Sequence, residues 1–281
     1  MKSTNISKGF EMQFALIKAP IAPLMKGPHK SERTDEALCG MTVEILERCG
    51  AWVRVRTHYR YEGWVNERHL CFDRCLVRQW TNAPKAVVLQ AWADVLDAPK
   101  VQGHLVGEIP RGGLLSPAGE AGDGWQRVRF CDGREGYLWG AFLGEYRTAW
   151  QKEEEPALRK ALTETTRSYL GVQYRWGGKT PLGIDCSGLC SMAYLLNGVI
   201  IYRDAHIQPG FPIHEIGFDE IKEGDLLYFP GHVAMYLGDG RYIHATASNN
   251  CHGVVINSLD PRAPDFRADL PGKLTCCGSI F

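Results

Sequence analysis

Two stretches of this 281-residue chain, "YEGWVNERHL" at 61–70 and "REGYLWGAFL" at 134–143, share the order charged residue, glycine, aromatic, apolar. Each is preceded at the same distance by a tryptophan heading a basic-alternating run: Trp52 opens "WVRVR" 12 residues before Trp64, and Trp125 opens "WQRVR" 12 residues before Tyr137. Alternation of apolar and charged residues is the period of a half-buried strand, and Gly or charged pairs punctuate the runs. A repeated strand pattern on this scale predicts two small all-β units built by internal duplication, one over 1–80 and one over 81–150. Aromatics at alternating strand positions belong by default to a core, which makes Trp52, Trp64, Trp125 and Tyr137 the expected barrel interior.

The texture changes after "KEEEP" (152–156), where an acidic run and a proline lead into "ALRKALTETTRSYLG". The spacing predicts a helix ending near Gly171 and a second from Cys186 to Asn197-Gly198, with Leu189, Ala193, Leu195 and Leu196 as its apolar face. Strand-type runs follow: "DLLYFP", "HVAMYLGDG", "RYIHATA" and "GVVINSL". Helices first and then strands joined by a Gly-Asp-Gly turn predict an α+β unit with an antiparallel sheet over 151–281.

Chemistry concentrates there. In "GIDCSGLCSMAYLLNG" (183–198), Asp185 and Ser187 are cap-type residues, so Cys186 falls at a helix N-terminus. A helix start or a neighbouring imidazolium lowers a thiol pKa and makes a nucleophile. His232 heads one strand and His244 lies late in the next; closing the hairpin at Gly238-Asp239-Gly240 brings the imidazoles together, as a base and its orienting group require. Cys190, one helical turn beyond Cys186, reads as core. Cys186, His232 and His244 make at most three ligands of zinc type, and "HLCFDRC" (69–75) has no second clustered pair, so no metal is expected.

Composition excludes some partners. With 32 basic and 32 acidic residues the formal net charge is zero, which points neither to nucleic acid nor to an anionic membrane surface. No apolar run has the length of a membrane span, and the first residues lack a signal-type apolar stretch, so a cytoplasmic location is expected. Ten scattered cysteines, two of them adjacent, suit thiols kept reduced rather than a disulfide framework.

The ordered set "YRWGG", "DCSG", "GDLLYF" and "GHVAMYLGDG…YIHA" resembles the NlpC/p60 cysteine peptidases, which are papain-like enzymes of cell-wall peptides. The first half resembles bacterial SH3-like domains, with their W-x-x-V…G-W-V ending. Together they resemble the γ-D-glutamyl-L-diamino acid endopeptidases of the YkfC and dipeptidyl-peptidase VI kind. The resemblance implies two SH3-like barrels followed by a papain-like catalytic domain. It also implies hydrolysis of the γ-D-Glu–diamino acid bond in murein-derived peptides with a free N-terminal L-Ala, in murein turnover or recycling, without a cofactor. Cys186 would then be nucleophile, His232 base and acid, and His244 the orienting residue. Asp185 would help hold the free amine, and Tyr174 and Ser187 match substrate-side positions. Glu36 and Tyr61, with Glu32 as rival acid, match the barrel residues that close the amine end. Relatives often carry "RDAS" where this chain has "RDAHIQPG", placing His206 beside the substrate. A broader wall endopeptidase, a thiol acyltransferase and a non-hydrolytic peptide-binding protein are the alternatives.

Overall fold

The computed structural model describes residues 14–29, 31–248 and 251–281. Seven strands from Phe14–Ile17 to Leu70–Cys71 form the first sheet, and seven from Ala86–Val88 to Leu143–Glu145 form the second. Counted from each N-terminus, the spatial order in both is three, two, six, five, four, one, seven. The repeat seen in the sequence is thus a repeat of topology.

The repeated motif has a physical reason. In strand Glu62–Asn66, Glu62 accepts hydrogen bonds from Arg54 (2.8 Å) and Arg56 (2.7 Å) of the neighbouring strand Trp52–Thr57. Glu135 does the same for Arg127 (2.5 Å) and Arg129 (2.7 Å). The next residue must be glycine in each case: a Cβ on Gly63 would stand 2.9 Å from Leu24 Cβ, and one on Gly136 would stand 2.6 Å from Leu96 O. The acid ties two arginines across the outer face, and the glycine lets the third strand close in.

The expected aromatic interior is corrected. Trp52, Trp64, Trp125 and Tyr137 are only half-buried, whereas Val53, Val55, Val65, Val128 and Leu138 are fully buried. Strand period is two, so the arginines and the aromatics at the same parity share the outer face, and the aliphatics between them form the cores.

Helix α1 (Arg74–Asn82) joins the barrels; Asp73 caps it by accepting from the N–H groups of Cys75 and Leu76. "HLCFDRC" is therefore a strand end running into a helix cap. Trp80 of α1 is buried and donates to Gly40 O at 2.8 Å.

In the C-terminal part, helices α2 (Glu155–Arg167) and α3 (Cys186–Leu196) pack with a six-stranded antiparallel sheet. Four successive strands of it are Leu226–Phe229, His232–Gly238, Arg241–Ser248 and, at the edge, Cys251–Ser258. Leu189, Cys190, Ala193 and Tyr194 of α3 pack with Val233, Met235, Ile243 and Ala245 of that sheet. Met192, Leu195 and Leu196 of the same helix pack into the core of the first barrel. The sequence suggested one apolar stripe, but α3 is buried from Cys186 to Tyr194 because two units clasp it. That position carries the start of α3 into the groove between barrel and sheet. Among the described residues no helix is long and apolar enough to cross a membrane.

Candidate active site

A cleft of about 690 Å³ opens between the first barrel and the C-terminal unit. Tyr61, Glu32 and Thr34 line it from the barrel; Tyr174, Trp176, Cys186, Asp204 and His206 line it from the other side. Cys186 is the first residue of α3 and is 6% exposed. Asp185 is its N-cap, accepting from Gly188 N–H at 2.6 Å. Gly188 is obligatory in "DCSG", because a Cβ there would lie 2.2 Å from Gly178 O.

His232 Nε2 and His244 Nδ1 are 2.7 Å apart, and His244 Nε2 is 2.9 Å from Asn257 Oδ1. The Asn257 amide is oriented by its Nδ2, which donates to Asp265 O at 2.6 Å. Its Oδ1 must then accept, so His244 carries its proton on Nε2 and accepts on Nδ1. His232 in turn donates from Nε2, which leaves the lone pair on its Nδ1. The hairpin expected to bring the two histidines together does so. Asn257, inside "GVVINSL", was not singled out in the sequence; it sits one strand beyond His244, where a third polar side chain on the same face is the available signal.

Electrostatics favours neutral groups at rest. Burial, and then the Asp185 carboxylate, push the Cys186 thiol up to about 11, although the N–H groups of Val233 and Ser187 and the Arg203 guanidinium favour the thiolate. Burial, and then His244 and Arg267, bring His232 down to about 3; burial brings His244 down to about 4 despite its bond to Asn257. The expected thiol lowered by an imidazolium is replaced by a thiol and imidazoles that are each neutral at rest.

Asp185 lines the cleft, but its carboxylate is committed. Oδ1 accepts from Gly188 N–H and Arg203 Nη1 (3.0 Å), and Oδ2 accepts from Gly177 N–H (2.8 Å) and Arg203 Nη2 (3.1 Å). Ser187 Oγ accepts from Arg203 Nη1 at 2.8 Å. Glu36, expected at the amine end, is instead 1% exposed behind the cleft wall, where it accepts from Lys179 N–H and pairs with Arg33. Lys179 and Arg33 occupy its carboxylate there, and its rival Glu32 lines the cleft. The acid that lines the cleft without an ion pair is Asp204, which has the Tyr61 hydroxyl of the barrel at 3.4 Å and the Tyr202 hydroxyl as hydrogen-bonding neighbours. Burial raises the Asp204 carboxyl, against Arg203, so a cation placed beside it would be stabilised. His206 is exposed on the cleft rim, its Nε2 3.2 Å from Gln208 Oε1. Arg203, Asp204 and Trp176 were not named from sequence. Among the described residues no cluster of His, Cys, Asp or Glu has the make-up of a metal site.

Comparison with known proteins follows the same lines. The profile described as "NlpC/P60 family" matches residues 171–264, and that described as "Bacterial dipeptidyl-peptidase Sh3 domain" matches 24–70. Dipeptidyl-peptidase 6 of Lysinibacillus sphaericus is 44% identical over 272 residues, which cover 95% of this chain and 99% of that protein. The chain belongs to the NlpC/P60 family. It is a cysteine peptidase, a hydrolase with an SH3-like region ahead of its catalytic domain, and the α+β architecture expected from sequence is borne out. A γ-D-glutamyl-L-lysine dipeptidyl-peptidase of Bacillus cereus is 28% identical over 226 residues, covering 75% of this chain and 66% of that one. A crystal structure of an NlpC/P60 family protein from Bacillus cereus superposes with a TM-score of 0.77 at 22% identity, covering 94% of this chain and 98% of the other, and shares the fold.

Proposed function

We propose that this NlpC/P60 peptidase removes L-Ala-γ-D-Glu from murein-derived peptides that have a free N-terminal L-Ala, cutting the γ-D-Glu–diamino acid bond. The observation that carries the reading is the walled cleft: the first barrel lines it with Tyr61 and Glu32, and Tyr61 reaches Asp204 opposite. An ammonium fits there, and the distance from that wall to Cys186 sets a dipeptide length. The names of the relatives, a dipeptidyl-peptidase 6 and a γ-D-glutamyl-L-lysine dipeptidyl-peptidase, agree with it. The working division is a first barrel over 1–80, a second over 81–150 and the catalytic domain over 151–281, and the site of action is the cytoplasm.

The mechanism follows from the tautomer chain. As the Cys186 sulfur attacks the γ-carbonyl carbon, its proton passes to Nδ1 of His232, and the imidazolium is held by His244 and Asn257. Backbone N–H groups at the start of α3 stabilise the oxyanion. His232 then gives the proton to the leaving amine, which yields the diamino acid product and a γ-glutamyl thioester. Water attacks the thioester with His232 as base, freeing L-Ala-γ-D-Glu and restoring the thiol.

The non-primed half of this substrate is a zwitterionic dipeptide, since the α-carboxylate of D-Glu is free. Asp204, Tyr61 and Glu32 are assigned to the ammonium, and Asp185 acts on it only through the cap. His206, two residues from Asp204, is assigned to the α-carboxylate. Tyr174, Trp176 and Ser187 shape the wall beside Cys186.

The test is mass-spectrometric product analysis of L-Ala-γ-D-Glu-L-Lys, its meso-diaminopimelate counterpart and their N-acetylated twins, with Cys186→Ala as control. Cleavage confined to free-amine peptides supports the reading. Equal cleavage of the acetylated twins makes the chain a broader endopeptidase, and transfer to added amine without hydrolysis makes it an acyltransferase.

A further inference from the structure

The most heavily buried ionic array among the described residues crosses from the barrel to the residues around Cys186. Arg203 is 2% exposed, and its three guanidinium nitrogens donate to five acceptor atoms on four residues. Nε donates to Asp35 Oδ1 at 2.6 Å, Nη1 to Asp185 and Ser187, and Nη2 to Asp185 and Gly178 O. Asp35, from barrel strand Arg33–Leu38, is 0% exposed. It also takes the Lys179 ammonium at 3.0 Å and the Tyr59 hydroxyl at 2.5 Å. Two acids and two bases close the array at zero net charge.

The arrangement has a direction. The Asp185 carboxylate caps the helix that begins with Cys186, and through Gly177 N–H it fixes the turn below it. Asp185 is held in that pose by the bidentate face of Arg203. Of the three N–H groups this bidentate face leaves over, one goes to Ser187, one to Gly178 O and the third, on Nε, to a residue of the barrel.

We propose that Asp35 is a positioning residue for catalysis: acting through Arg203 on Asp185 and Ser187, it makes docking of the first barrel part of the geometry at Cys186, in addition to walling the cleft. The proposal rests on the reading of Cys186 as nucleophile. A barrel that only narrows the cleft affects peptides and leaves the thiol alone; a barrel that sets the helix cap and its local charge also affects small reagents that need no subsite.

The charged and titratable groups around the Cys186 thiol are Asp185 and Arg203 next to it, Cys190 along the helix and Tyr174 across the cleft, and the Val233 N–H of the sheet donates to it. Burial alone would raise the Asp35 carboxyl, but Lys179 and Arg203 outweigh it and hold it below the ordinary range. Asp35→Asn therefore leaves Arg203 and Lys179 with one counter-charge fewer, which favours the thiolate while loosening the cap.

The test uses the full chain with Asp35→Asn, Arg203→Gln and the double variant. Steady-state peptide hydrolysis is measured beside the pH profile of iodoacetamide alkylation at the Cys186 peptide, followed by mass spectrometry. The expected result for Asp35→Asn is a fall in kcat of about tenfold or more with KM within about threefold, and an alkylation profile displaced to lower pH. In the Arg203→Gln background the same change should cost less than about twofold more, because the two act as one unit. A rise in KM alone, with the alkylation profile in place, overturns the proposal and leaves the barrel as a wall. If circular dichroism shows Asp35→Asn unfolded, Tyr59→Phe decides: about threefold lower kcat with a displaced profile supports the relay, and neither change in the folded variant overturns it. Turnover retained by Cys186→Ala removes the nucleophile reading, and the proposal with it.

Discussion

At the scale of residues, the chain His232, His244, Asn257 determines which nitrogen does the chemistry. Because Asn257 is itself oriented by Asp265 O, the lone pair is driven to Nδ1 of His232. His232→Ala should therefore lower kcat by about a thousandfold or more, whereas Asn257→Ala, which only unfixes a tautomer, should cost about ten- to a hundredfold; both are read from steady-state hydrolysis. With a neutral thiol and a neutral imidazole at rest, neither group titrates near pH 8. The fall of kcat/KM on the alkaline side should instead follow the substrate's α-amine, near about pH 8. A pH–rate profile that keeps rising beyond pH 9 would show that the ammonium is not what the cleft reads. At the rim, His206→Ala should reduce kcat/KM for the free D-Glu acid by about tenfold while changing that for the D-isoglutamine amide less than threefold, the difference of one charge-assisted hydrogen bond.

Elements show what could be read from the chain and what could not. The repeated endings were legible because Glu62 and Glu135 clamp arginines two residues apart, while Gly63 and Gly136 admit a neighbouring strand, and each leaves a fixed mark in sequence. The phase of the strands was not legible: alternation gives two faces, and a tryptophan beside an arginine does not announce which face is inside. The nucleophile helix was legible from Asp185, Cys186 and the apolar run, but its burial on both sides depends on a barrel well over a hundred residues upstream. Arg203 and Asp35 escaped notice for the same reason, since a buried ion pair between distant segments has no local pattern. Energetics separates these cases. Glu135→Gln, on the surface, should leave the denaturant midpoint of unfolding nearly unchanged. Gly136→Ala, which drives a Cβ toward Leu96 O, should cost about 1–3 kcal/mol.

For the whole molecule, burial of neutral imidazoles links stability to pH. His58, His232 and His244 are brought down to about 4, 3 and 4 by burial first of all. A lowered folded-state pKa means the unfolded chain binds more protons between that value and about 6.5, so stability is complete above about pH 6.5 and is lost as pH falls toward 4. Thermal unfolding should show Tm constant from pH 7 to 8 and falling steeply between pH 6 and 4, with a shallower fall in His58→Gln. The interface between barrel and catalytic unit carries helix α3, the Asp35–Arg203 pair and the cleft together, so the three should be lost together on unfolding.

The central claim, that Cys186 takes up the L-Ala-γ-D-Glu unit, is tested most directly by trapping the thioester. Asn257→Ala enzyme is mixed with excess L-Ala-γ-D-Glu-L-Lys, quenched in acid within one turnover and digested for mass spectrometry. The predicted result is an L-Ala-γ-D-Glu acyl increment on the peptide containing Cys186, absent with the N-acetylated peptide. An increment on another cysteine, or equal labelling by the N-acetylated peptide, would contradict it.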